Sequence, residues 1–587
     1  MSAHPACQPW WTTAVVYQIY PRSFADSDGD GVGDLHGVLA HLDHLSALGV
    51  DVVWMSPIYR SPHDDNGYDI SDYRDVDPVF GTLADLDELI AALHARGMKL
   101  VMDLVVNHTS DEHPWFVEAR SSRTSPKRDW YIWRPQTPGG LPPNNWGSVF
   151  SGPAWELDEA TGQWYLHLFS RKQPDLNWEN PQVREAVYAM MSWWLDRGVD
   201  GFRMDVVNFI SKVAGLPDGA VAAGALFGDG EPFYVSGPRI HEFLHEMHTR
   251  VFAGREQHLL TVGEMPGVSV EQARLFTDPA RGEVDMVFQF EHVRLDHAGS
   301  KWDTRVLDLR ELKASLGRWQ EGLAESGWNS LYWNNHDQPR AVSRFGDDSP
   351  AHRVRSAKAL ATVLHLHRGT PFVYQGEELG MTNVPFASVE DFRDLESLNH
   401  MVDSVGRGAD PDVVLAALAP ASRDNARTPM QWDASPHAGF TTGTPWISVH
   451  PNHTEVNAAA AWAEEDSVLH HYRRLIELRH TLPVVAHGRF AMLLAEHEQV
   501  YAFTRTWDEV RLLVIANLSG ADVSLAATAT TELPGLDGSL PGLDGELPGL
   551  DGVPVLSNYP DAGQRTVLRP WEARVLQSTH DDRLVAR

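Results

Sequence analysis

The stretch Lys99-Leu-Val-Met-Asp-Leu-Val-Val-Asn107-His108 decides the fold. It is apolar and rich in valine along its length, carries one carboxylate at Asp103, and turns polar only at its end. Such a run is a strand covered on both faces, as in a parallel sheet sheltered by helices. Similar short runs lie at 15–20 and 52–55 before it, and at 201–205, 259–264, 284–288, 331–334 and 371–374 after it. Amphipathic segments separate them: residues 83–96 place Leu83, Leu86, Leu89, Ile90 and Leu93 at helical spacing and stop at Gly97. Eight strands alternating with helices predict an α/β fold, a closed (β/α)₈ TIM barrel. An open doubly wound sheet is the alternative, but no glycine-rich dinucleotide fingerprint follows any strand.

The spacing is uneven, and that sets the domains. About 100 residues separate strand three from strand four, far more than a βα connection needs. The stretch is dense in Trp, Pro, Gly and Asn, as in Pro142-Pro-Asn-Asn-Trp146-Gly147. It predicts an irregular B domain inserted on the barrel's C-terminal face. A helical pattern at 468–480 closes the barrel, and the runs at 500–504 and 510–515 predict a C-terminal all-β sandwich. The expected division is barrel 1–107, inserted domain 108–180, barrel 181–485 and β domain 486–587. Within the last, Leu-Pro-Gly-Leu-Asp-Gly occurs at 533–538, 540–545 and 547–552. One Pro and two Gly in each copy exclude a helix and predict a solvated loop.

Composition narrows the function. Across 587 residues, 48 Lys+Arg against 80 Asp+Glu leave a net charge of −32. That excludes a general nucleic-acid or anionic-membrane binder, which needs basic patches. The lone Cys7 allows no internal disulfide, the N-terminus has no basic-then-apolar leader pattern, and no run of about 18 apolar residues occurs. A cytoplasmic enzyme with a small substrate is the expectation.

Polar residues gather at the C-terminal ends of the predicted strands, where barrel enzymes place their sites. Strand three ends in Asn107-His108, strand four in Arg203-Met-Asp205, strand five in Gly263-Glu264 and strand seven in Asn335-His336-Asp337. One Asp at a strand end is usually a cap; four such endings on one barrel are a site. Arg203 and Asp205 are two apart and so share a face. Their proximity predicts that the guanidinium favours ionised Asp205. Converging carboxylates, one ionised and one protonated, are what glycoside hydrolysis requires.

These motifs, DLVVNH, GFRMD, GE and NNHD in that order, resemble glycoside hydrolase family 13, the α-amylase family. Three stretches resemble its oligo-1,6-glucosidase and α-glucosidase group in particular. They are Asp65-Asn-Gly-Tyr68-Asp-Ile-Ser-Asp-Tyr73, Gln173-Pro-Asp-Leu-Asn-Trp178 and Arg423-Asp-Asn-Ala-Arg427-Thr-Pro-Met-Gln-Trp432. The resemblance implies a retaining, exo-acting α-glucosidase with Asp205 as nucleophile, Glu264 as general acid/base and Asp337 as transition-state stabiliser. It implies sugar contacts from Arg203, His108 and His336. Asp65 and Tyr68 would close the non-reducing end, and Phe150, Phe169 and Gln173 would line the pocket. A late-loop arginine would be Arg427, with Arg423 as the alternative. Val206, after the nucleophile, resembles the α-1,6-active members. α-1,4-preferring, transglucosylating or sucrose-active relatives are the alternatives.

Near the N-terminus, Asp26-Ser-Asp28-Gly-Asp30-Gly-Val32-Gly-Asp34 sets carboxylates at alternate positions among glycines, suited to a hard cation. Its twelfth position is Gly37 rather than Glu, so it is no EF-hand. The resemblance implies a structural Ca²⁺ here, with the Val32 carbonyl as a further ligand, and no organic cofactor. Two other classes fit less well. A non-catalytic family-13 binding subunit typically loses the carboxylates retained here, and a metallohydrolase using His108 and His336 lacks a second ligand set at metal spacing.

Overall fold

The computed structural model describes residues 9–255, 259–525, 547, 550–561 and 566–579. Eight parallel strands form the central sheet: β1 (Val16–Ile19), β2 (Val52–Met55), β3 (Lys99–Val105), β4 (Gly201–Asp205), β5 (Leu260–Glu264), β6 (Met286–Phe288), β7 (Ser330–Leu331) and β8 (Thr370–Tyr374). Successive strands pair in chain order, and β8 returns to pair with β1. A parallel bridge between Val287 and Asn329 joins β6 to β7 and closes the barrel. β7 is shorter than the expected 331–334, because only Ser330 and Leu331 hold ladder register with β8.

The two-residue period of the strands divides their side chains between two cores. Val16, Val52, Trp54, Val101, Leu260, Val262, Met286, Phe288 and Phe372 pack together inside the barrel. Tyr17, Val53, Met55, Leu100 and Met102 face the helices. Gly201 opens β4 at φ +153°, where a Cβ would sit 2.0 Å from the Leu260 carbonyl oxygen, so only glycine permits that approach. The helix before it, Pro181–Arg197, is defined at both ends. The Asn180 side chain accepts from the Gln182 N–H at its start, and Gly198 caps its end in the left-handed conformation.

Between β3 and β4 the inserted segment forms a three-stranded antiparallel sheet of Trp133–Pro135, Trp155–Asp158 and Gln163–Leu166. Its core is not its own. Trp146, Trp155 and Leu168 pack with Phe209, Leu216 and Tyr234 from the segment after β4, which ties the insertion to the C-terminal end of the barrel strands. A buried lysine strengthens the tie: Lys212 Nζ donates to Asn107 Oδ1 (3.1 Å) and Phe209 O (2.9 Å), and meets Asp175 Oδ1 at 2.9 Å.

After β8 comes a helical pair, Leu395–Gly406 and Pro411–Ala421, that sequence reading did not single out. It delivers the arginine-bearing loop to the barrel mouth. The C-terminal domain is a sandwich. Arg489–Leu493, Val500–Trp507, Val510–Asn517, Ala573–Thr579 and Val553–Ser557 form one antiparallel sheet. Val523–Ser524 pairs with Val567–Leu568 in the other, and Val500, Ala502 and Ile515 meet Val523, Leu525 and Leu568 between them. Two of the LPGLDG copies lie outside the described residues. In the third, Leu547 and Leu550 pack against the sandwich core rather than facing only solvent. No helix among the described residues is long and apolar enough to cross a membrane.

Candidate active site

Strand parity places the chemistry. Val101 faces the barrel interior, and so does Asp103 two residues on; Gly201 is followed by Arg203 and Asp205, and Leu260 and Val262 by Glu264. The sheet register sets Asp103 opposite Arg203, and Val262 opposite Arg203 on the other side. One guanidinium therefore serves three carboxylates. Arg203 Nη1 lies 2.8 Å from Asp103 Oδ1 and 2.8 Å from Asp205 Oδ1, and Nη2 lies 2.5 Å from Glu264 Oε1.

This sharing changes the expected electrostatics of Asp205. Burial raises its pKa well above the usual carboxylate range, the Glu264 charge adds to the rise, and Arg203 only opposes it. Arg203 thus favours ionised Asp205, as the spacing predicts, but against burial and the Glu264 charge. Two buried aspartates sharing that cation, Asp103 and Asp205, hold protons to higher pH than isolated carboxylates. Asp103, pushed up to about 6 by burial against the pull of Arg203, also accepts from Tyr68 Oη at 3.0 Å and Trp54 Nε1 at 3.2 Å.

Asp337 has the opposite surroundings. Burial would raise its pKa, but the adjacent guanidiniums of Arg423 and Arg427 lower it below the usual range. Arg427 Nη2 donates to Asp337 Oδ1 at 2.8 Å, and Arg423 Nη1 lies 3.3 Å from the same oxygen. His336 is fully buried and kept neutral, with burial pulling it down to about 3. Gln18 Nε2 approaches its Nδ1 at 2.8 Å, which makes Nδ1 the acceptor and leaves the proton on Nε2, 3.4 Å from Asp337 Oδ2.

The far end is closed by an ion pair. Arg423 Nη2 reaches Asp65 Oδ1 at 3.3 Å, Gln173 Nε2 donates to Asp65 Oδ2 at 3.1 Å, and Gln173 Nε2 also lies 3.2 Å from His108 Nε2. Burial lifts Asp65 to about 7 against the two arginines, and lowers His108 to about 4. Phe169 packs on Phe150 and His108, and the Arg423 guanidinium lies 4.8 Å over the Phe150 ring. Tyr68 stacks nearly parallel on His336, 5.2 Å between centroids.

A cavity of 580 Å³ opens onto this cluster. Asp65, Tyr68, His108, Phe150, Phe169, Asp205, Glu264 and Asp337 line it; Gln173, Arg203 and His336 stand directly behind that wall. The late-loop arginine on the cavity wall is Arg423, not Arg427, which is fully buried behind Asp337. Val206 also lines the cavity and holds φ +34°, a left-handed conformation that a β-branched residue rarely adopts. That bend aims its N–H at Glu264 Oε2, 3.0 Å away. Sequence reading missed Asp103, Gln18 and Lys212 as parts of the site's support. Parity along β1 and β3 is the signal that reveals the first two.

The Asp26–Asp34 loop lies away from this cavity. Carboxylate oxygens of Asp26, Asp28 and Asp34 come within 4.8 Å of one another; Asp30 and Val32 lie on the same turn but outside that group. Backbone N–H groups orient the acids: those of Asp28, Gly29 and Gly31 donate to Asp26, and that of Ser27 donates to Asp34.

Residues 18–488 match the model of the family described as alpha amylase, catalytic domain. An oligo-1,6-glucosidase of Halalkalibacterium halodurans is 53% identical over 573 residues, covering 96% of this chain and 98% of its own length. An oligo-1,6-glucosidase of Parageobacillus thermoglucosidasius is 55% identical over 572 residues, with the same 96% and 98% coverage. Among solved structures, a Bacillus licheniformis trehalose-6-phosphate hydrolase superposes with a TM-score of 0.88 at 44% identity, covering 98% of this chain and all of that one. Barrel, inserted domain and carboxylate cluster therefore have one origin: this chain belongs to the α-amylase family of glycoside hydrolases, family 13.

Proposed function

We propose that the chain is a retaining, exo-acting α-glucosidase that releases glucose from the non-reducing end of short α-glucosides, α-1,6-linked ones included. The observation that carries this is the cavity closed by the Asp65–Arg423 pair on one side of Asp205 and Glu264. A sugar seated against that pair presents its anomeric carbon to the carboxylates and leaves no room for further units beyond it. Asp205 attacks C1 as Glu264 protonates the glycosidic oxygen, giving a β-glucosyl ester and a free aglycone. Glu264, now ionised, deprotonates water, which attacks C1 from the opposite face; α-glucose leaves and Asp205 is regenerated. Asp337, ionised by its two arginines, stabilises the positive charge developing on the sugar. Initial rates on isomaltose, maltose, sucrose and trehalose, measured side by side, test the reading. First-formed β-glucose would overturn retention.

Linkage preference rests on Val206. Thr keeps the β-branched shape at φ +34° and changes only a methyl to a hydroxyl. Val206→Thr therefore leaves folding intact and shifts the isomaltose-to-maltose ratio of kcat/KM toward maltose by about 10-fold, near the low end of what one such contact supplies. An unchanged ratio removes this residue as a determinant.

The aglycone side is mostly charge-balanced. Four cations line it: Lys301, Arg305 and Arg344 are each paired, with Glu396, Glu311 and Asp296 respectively, while Arg294 forms no ion pair among the described residues. A phosphorylated aglycone would meet Arg294 alone unless it displaced those acids, which favours a neutral leaving group. The same reading places the enzyme in the cytoplasm, in keeping with its single cysteine.

The Asp26 loop fits a hard cation. Its donors are all oxygens, three carboxylates converge, and burial, added to by the charges of Asp28, Asp26 and Asp34, raises Asp30 above its ordinary pKa. Asp26, Asp28, Asp30, Asp34 and the Val32 carbonyl would hold Ca²⁺, whose role is to fix the chain between β1 and the first helix. A site kept at 100 times its Kd adds about 2.7 kcal/mol to stability. Chelation accordingly lowers the unfolding temperature by a few degrees, and added Ca²⁺ restores it. Activity lost with an unchanged unfolding temperature would contradict a structural role.

A further inference from the structure

A second cavity, of 630 Å³, lies on the other side of the inserted domain, between its three-stranded sheet and the segment that follows β4. Arg123, Arg128 and Arg134 line it together with Trp133, and Ile210 and Leu216 form an apolar wall opposite. Every hydrogen bond these three arginines make among the described residues goes to a neutral acceptor. Arg123 Nε donates to Thr161 O at 2.6 Å and Nη2 to Gly162 O at 3.5 Å. Arg128 donates to Ala119 O (3.0 Å), Thr161 Oγ1 (3.0 Å) and Gln163 Oε1 (2.6 Å), and Arg134 to Trp133 O (2.9 Å).

Two polar atoms here have no partner within the protein. Arg128 Nε and Trp133 Nε1 are both buried and unbonded, on residues that are 9% and 8% exposed. The central carbon of the Arg128 guanidinium lies over the Trp133 ring, 3.4 Å from its centroid, which holds the two side chains side by side. The acids that share the cavity form no ion pair with these cations among the described residues, although the Asp129 charge acts on Arg134. Asp129 accepts from the amides of Asn177 and Asn180, and Glu179 pairs with Arg239. Burial pulls Arg128 down to about 10 and lowers Arg134 as well, outweighing the more distant charges of Asp158 and Asp129 respectively.

A cluster of arginines with no ion pair among the described residues is conspicuous on a chain of net charge −32. A buried guanidinium without an anion is costly, and its planar fork matches an oxyanion better than any neutral ligand. We propose that this cavity binds a small oxyanion, a phosphate group either free or carried on a sugar, at a site separate from the catalytic cavity. The apolar wall leaves room for the sugar beside the charged group.

Calorimetric titration of the intact enzyme with inorganic phosphate, and separately with glucose 6-phosphate, tests this. Saturable binding of both identifies the phosphate group itself as the ligand; binding of glucose 6-phosphate alone identifies a sugar phosphate. In either case Arg134→Gln and Arg123→Gln, which are not buried core positions, each weaken binding by about 10-fold or more while glucosidase kcat stays unchanged. Absence of binding by both probes at millimolar concentration overturns the proposal, as does binding that neither substitution alters.

Discussion

Asp205→Asn lowers kcat on an aryl α-glucoside by at least about 10⁴-fold, because the covalent route then has no nucleophile. The fold should survive the change. Asp205 is one of three carboxylates sharing Arg203, and burial together with Glu264 already opposes its ionisation. Removing that charge relieves repulsion, so the unfolding temperature holds or rises even as activity disappears. Loss of activity is thus separable from loss of structure by one thermal scan. Asp205→Ala extends the test: azide entering the vacated space restores turnover and gives β-glucosyl azide, the inverted product. Substantial activity in Asp205→Asn, or rescue with α-configuration, would assign the nucleophile elsewhere.

Glu264→Gln separates the acid from the nucleophile. The amide keeps the shape that receives the Val206 N–H but cannot protonate a leaving group. Hydrolysis of isomaltose, whose departing hydroxyl needs that proton, falls by about 10³-fold, within the usual range for a general acid. α-Glucosyl fluoride needs no proton to leave, so its glucosylation step is affected far less. Equal losses on the two substrates would mean that Glu264 acts on binding or on the electrostatics of Asp205 instead.

The barrel was legible because its signal is repeated. Eight apolar runs, each covered on both faces, are hard to produce by chance, and the inward parity of Asp103, Arg203, Asp205 and Glu264 follows from the strand period alone. The loops were less legible. Arg423 and Arg427 lie four residues apart in one short helical turn, and which reaches the cavity depends on how Leu395–Gly406 and Pro411–Ala421 pack beneath them. No local periodicity encodes that. Lys212 escaped notice for a related reason. Its partners Asn107 and Asp175 come from segments distant in sequence, and only the closed fold brings them to one ammonium. The pull of Arg203 on Asp205 is legible from their two-residue spacing, but the competing Asp103 and Glu264 are not, because spacing identifies a neighbour and not how many others share it.

Lys212 also has a consequence for the supply of the enzyme's parts. Oxygens of Asn107, Phe209 and Asp175 meet at its ammonium as they would around a captured ion, at the junction of inserted domain and barrel. Here the positive charge is translated with the chain. It needs no uptake from the medium, has no dissociation constant to satisfy, and cannot be stripped by a scavenger. The inserted domain is therefore seated from the moment the barrel closes, whatever the mineral state of the cell.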